Sequence, residues 1–96
     1  MNRDTRYTDD TMSPDQLNAW AQVLWYFEPG TPGARRPGGF NEHLLAAWAR
    51  ADSRNHMRLA SLWPHHGVAM GMAMHGVGGG LEALREQVQQ ASSRGQ

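Results

Sequence analysis

The chain has no cysteine and no lysine, and its nine basic side chains are all arginine. The first absence excludes disulfides and thiolate metal sites. The second points to a GC-rich coding sequence, as in actinobacteria or their phages, because lysine is the ordinary solubilising cation and nothing suggests nine separate guanidinium tasks. No apolar run approaches the ~20 residues that span a bilayer, and no charged-then-apolar leader opens Met1-Asn2-Arg3-Asp4. A cytoplasmic protein with no membrane contact is therefore expected. An excess of charge is missing as well: nine basic residues balance nine acidic ones, which argues against a surface built entirely for nucleic acid or anionic lipid. Any basic patch must be local, for instance where Arg35, Arg36, Arg50, Arg54 and Arg58 outnumber Glu42 and Asp52. Catalytic signatures are absent too. There is no GxSxG or HExxH, and the GVGGG run at residues 76–80 lacks the strand and lysine of a phosphate loop, so it reads as a flexible joint. The expectation is a non-enzymatic protein without a cofactor.

What is present suits one small domain of 96 residues, in which four tryptophans carry a large share of the core. Residues 1–12 lack periodicity and are expected to be a disordered arm. Ser13, Pro14, Asp15 and Gln16 then form a helix start: a hydroxyl cap, a proline suited to the first turn, an acid at the positive dipole end and a capping-box glutamine. Leu17, Trp20, Ala21, Leu24 and Phe27 share one face of this helix, with Asn18 and Gln22 opposite and Trp25 at the border. Pro29 ends it, and PGTPGARRPGG makes residues 29–39 an exposed loop. A second helix is expected to start at an Asn41 cap, with Phe40 stapled to Leu45, and to bury Leu44, Leu45, Trp48 and Ala51. Asp52 or Ser53 caps a third helix with Leu59, Leu62 and Trp63 inside and Arg54, Arg58 and Ser61 outside. Asn55 falls in the apolar arc and is expected to tie down the turn between the two helices, which bury their stripes against each other. Residues 65–80 read as a short, loosely packed helix. Leu81, Leu84 and Val88 mark a last helix that frays into a disordered tail over 91–96. The fold class is all-α, with three to four short helices making a single domain over residues 13–90.

Three chemistries compete for this scaffold. The His and Met segment holds His65, His66, Met70, Met72, Met74 and His75, residue types that suit Cu(I) or Ag(I), although methionine is equally a filler of small cores. The packing reading is preferred and no metal site is assigned. A helix-turn-helix would put Arg54, Asn55, His56 and Arg58 at the start of a recognition helix, with Trp48, Ala49, Leu59 and Leu62 in the core. Asp52 and Arg54 then stand where that turn needs apolar residues, so nucleic acid is the lesser alternative. The third is an interaction surface. Trp25, Tyr26, Arg54 and Arg58 fall outside the core stripes and are of the types that supply interface hot spots, which makes them the candidate partner-binding residues.

The run LLAAWARADSRNHMRLASLWP, Leu44 to Pro64, resembles a segment of small uncharacterised proteins encoded by phages and prophages. There a leucine-rich helix leads into Ala-Asp, an Asn, an Arg-Leu pair and an aromatic-Pro ending. The resemblance implies a setting rather than residue roles: an accessory protein that binds a host, phage or defence protein and modulates or inhibits it. A homo-oligomer is also compatible with the wide apolar arc of the first helix.

Overall fold

The computed structural model describes residues 12–94 and is all-α, with five helices and no strand among the described residues. The elements are α1 (Pro14–Phe27), α2 (Gly39–Trp48), α3 (Ser53–Leu62), α4 (Pro64–His75), a 3-10 turn (Val77–Gly79) and α5 (Gly80–Arg94). The helix count exceeds the expected three to four because the segment after Trp63 and the C-terminal segment each form a full helix. The arm expected over residues 1–12 lies outside the described residues except for Met12, which packs against the core. The tail begins later than expected, since α5 continues to Arg94 and Ala91 is buried.

Local chemistry accounts for most boundaries. The Ser13 hydroxyl accepts from the Gln16 amide at 3.1 Å, and Pro14 opens the first turn of α1. Asp52 caps α3 in the same way through the Asn55 amide at 2.8 Å. Pro64 ends α3 by disfavouring helical geometry at Trp63, then serves as the first residue of α4. Gly76, in the left-handed region at φ 73°, closes α4 by donating to the Gly71 and Met72 carbonyls. Positive φ at Gly78, Gly79 and Gly80 makes the GVGGG run a shaped turn that needs glycine. The second helix departs from expectation at its start. It begins three residues early, capped by Gly38 rather than Asn41 and without a side-chain bond, and Asn41 is an interior residue.

The core is built around α4. Ala69 and Met70 are fully buried and Met72 nearly so, and α4 packs against α1, α3 and α5. Ala21, Val23 and Leu24 from α1, Leu45 and Trp48 from α2, and Leu84 and Val88 from α5 complete it. The expected dominance of the α2 and α3 pair is thereby corrected: both helices exist, but they touch each other sparingly, and α3 packs chiefly on α4. Helix α3 contributes no fully buried residue, Leu62 is 70% exposed, and Leu17, Phe27, Leu44, Leu59 and Trp63 are only partly buried. The loop after α1 is less exposed than expected. Pro37 is buried, the Arg35 amide donates to the Ala21 carbonyl at 3.1 Å, and the Gln89 side chain donates to the Pro32 carbonyl at 3.1 Å. The Arg85 guanidinium reaches Glu28 at 2.9 Å and ties α5 to the end of α1.

Candidate functional site

Among the described residues five large apolar side chains stand out in solvent: Phe40, Met57, Leu62, Val68 and Val77. Leu62 belongs to an open groove of about 260 Å3, lined with it by Asp15, Asn18, Ala19, Trp63, Pro64, His65 and His66. The groove forms where the first turns of α1 meet the junction of α3 and α4. That junction is a single residue, Trp63, held out of helical geometry at φ −128° and ψ 76° before Pro64. Phe40 leans on the Trp63 ring with centres 6.3 Å apart, widening the apolar surface beside the groove.

On α3 the inner side passes through His56, Leu59, Ala60 and Trp63, at helical spacings of three and four. Leu62 lies roughly a third of a turn away, on the same edge as Asn55 and Arg58. Arg54 and Arg58 are exposed and form no ion pair among the described residues; Arg58 only donates to the Asn55 side-chain oxygen at 3.4 Å. Asn55 is therefore an exposed residue of this edge, and its expected role in the turn is corrected. Asp52 holds that turn, and the link between α2 and α3 is made by His56, whose Nδ1 accepts from the Trp48 indole at 2.8 Å.

A polar junction supports the groove from behind. Gln22, expected on the solvent side of α1, is instead 8% exposed. Its side-chain oxygen accepts from the Asn41 amide at 3.0 Å and lies 3.2 Å from His66 Nε2, joining α1, α2 and α4. The His66 contact requires the ring proton on Nε2. Burial, reinforced by neighbouring His65, pushes the His66 imidazole below its ordinary value. The groove thus presents a neutral imidazole beside aromatic and aliphatic carbon, with Asp15 as its charged rim.

The four candidate residues divide into two places. Arg54 and Arg58 border the Leu62 edge. Trp25 lies about 10 Å along α1 from Asn18, where the Arg36 guanidinium covers its ring at 5.7 Å, and Tyr26 packs edge-on against Phe27 at the core margin. The residues proposed as soft-metal ligands are also dispersed: Met70 and Met72 are in the core, while His66 and His75 are separated by roughly 13 Å of helix axis. Sequence reasoning missed Phe40, Leu62 and His65 as surface residues and Gln22, His56 and His66 as their polar support. The three-and-four spacing from His56 through Trp63 was the available signal for Leu62. Against protein-family models, curated proteins and solved structures, this chain has no match.

Proposed function

We propose that this protein is a non-enzymatic interaction module that binds a partner protein through the Leu62 edge of α3 and the adjoining groove. The supporting observation is Leu62, an apolar residue 70% exposed beside the half-buried Trp63 and the exposed Arg54 and Arg58, which form no ion pair among the described residues. Tryptophan and arginine dominate interface hot spots, and an apolar centre with a cationic border fits a partner surface with an apolar anchor and nearby carboxylates. The phage-type accessory role follows as a setting: occlusion of a host or defence protein's surface, leading to modulation or inhibition. A helix-turn-helix reader is less well supported, because its register needs Leu62 in the core.

The test is capture from a host lysate with the full chain and with Leu62→Asp and Arg58→Glu, each verified to melt like the parent. A protein retained by the parent and lost from both variants is the expected result. Retention by both variants overturns the surface assignment. A duplex-DNA gel shift at low salt that Arg54→Ala abolishes would instead make the arginines nucleic-acid contacts, and a parent dimer dissolved by Leu62→Asp would assign the edge to a second copy.

A further inference from the structure

The bond between Trp48 and His56 has a direction that fixes a protonation state. The indole nitrogen only donates, so His56 Nδ1 must be the bare acceptor and the ring proton must sit on Nε2. Trp48 is fully buried, while His56 is partly open to water, so a proton can reach the imidazole but no water can replace it around the indole. On its other side the His56 ring meets His75, at the last turn of α4, edge to face with centres 5.3 Å apart.

We propose that Trp48, His56 and His75 form a proton-operated latch that holds α3 against α2 and α4 while His56 is neutral and loosens α3 when His56 is protonated. A protonated His56 carries hydrogen on both nitrogens and cannot accept the indole N–H, which is left facing a cation in dry surroundings. When His75 is protonated as well, two like charges face each other across the same contact. From α2 the Trp48 indole faces His56, and from α4 the His75 ring does. On α3 itself the closest carboxylate in sequence is Asp52, one turn earlier, which is engaged by the Asn55 amide. Neither imidazole has a carboxylate within 4.0 Å among the described residues. Helix α3 is the element most exposed to such a loss, since it buries no residue fully and its contact with α2 is slight. The latch is independent of whether α3 docks a partner, and it is tested on the protein alone.

The experiment is a pH titration of the isotopically labelled full chain by NMR. Near neutral pH the His56 ring should be the Nε2–H tautomer. As the pH is lowered the Trp48 indole resonance should move in step with the His56 ring, and amide exchange in α3, corrected for its intrinsic pH dependence and referenced to α5, should rise about tenfold. Following the His56 ring itself separates this event from titration of His66. His56→Asn places a non-titrating oxygen near the position of Nδ1, so its Trp48 resonance and α3 exchange should stay flat. An Nδ1–H tautomer in the parent, an indole resonance that ignores pH, or an Asn variant that titrates like the parent overturns the latch. If the Asn variant does not fold, the parent's tautomer and indole titration decide the matter.

Discussion

Trp48 is fully buried and Trp20 is 9% exposed, and their indole nitrogens differ in a second way. Trp48 donates to His56, whereas Trp20 Nε1 is buried with no hydrogen-bond partner among the described residues. An unmade buried bond costs about 1–3 kcal/mol, so removing the orphaned donor offsets part of the volume lost in Trp20→Phe. Trp48→Phe gains no such offset and removes a formed bond. Urea unfolding should show a loss of about 2 kcal/mol or more for Trp48→Phe and less than about 1 kcal/mol for Trp20→Phe; equal losses would show that the two environments are equivalent. His66 supplies a second prediction at this scale. Its affinity for protons falls on folding, chiefly through burial, so below the ordinary histidine value of 6.5 the unfolded chain binds more protons than the folded one. Stability should therefore decline as pH drops from about 6.5 through the lowered folded value, then cease to depend on this group once folded His66 is itself protonated. His66→Gln, which keeps a side-chain N–H for Gln22, should flatten that part of the melting profile, and an unchanged slope would exclude His66 as its source.

Helix α4 is the element that sequence patterning described least well and that organises the fold. A helix enclosed by three neighbours needs no single apolar stripe, and Gly67, Ala69, Met70, Gly71 and Met72 are buried around much of its circumference. The alternating Met, Ala and Gly residues therefore read as weak packing, although they allow close approach from several sides. Gly67 shows this most directly. A Cβ there would stand 2.6 Å from Ala60 Cβ and 2.9 Å from its Cα, where α3 folds back on α4. In an isolated helix, Gly→Ala would stabilise by about 1 kcal/mol. Here the backbone contact prevents easy relief, so Gly67→Ala should destabilise by about 1–3 kcal/mol, the ordinary range for overpacking. A higher melting temperature for the variant would mean that α3 moves aside without penalty, and that the α3 to α4 contact is loose.

At the scale of the whole molecule, residues that announce their neighbours locally were legible and those that depend on distant partners were not. Ser13, Pro14, Asp52 and Pro64 act within a few residues of themselves, so the starts of α1 and α3 and the junction before α4 followed from sequence. Leu24, Leu45 and Trp48 were also recognisable as core residues. Gln22 needed Asn41, nineteen residues away, and His66, forty-four residues away, to justify its burial. The candidate surface was half legible for the same reason: Arg54 and Arg58 face away from α3's own inner side, but the exposure of Leu62 depends on where α4 and α1 sit. This division also orders the molecule energetically. The buried cluster runs through α1, α2, α4 and α5 and omits α3, which is held by half-buried contacts and the Trp48 to His56 bond. Backbone amides open with free energies that follow such burial, from near zero for peripheral elements to the global value in the core. Native-state hydrogen exchange near neutral pH should therefore protect the amides of α4 and the middle of α1 most strongly and those of α3 at least about tenfold less, a difference of ~1.4 kcal/mol. Met70→Ala should lower protection in α1, α4 and α5 together by about 2–5 kcal/mol, because its side chain is shared by the whole core, whereas Leu62→Ser should leave all of them unchanged. Protection of α3 equal to that of α4 would mean that the peripheral helix unfolds only with the core, and that its exposed edge is carried on a fully cooperative domain.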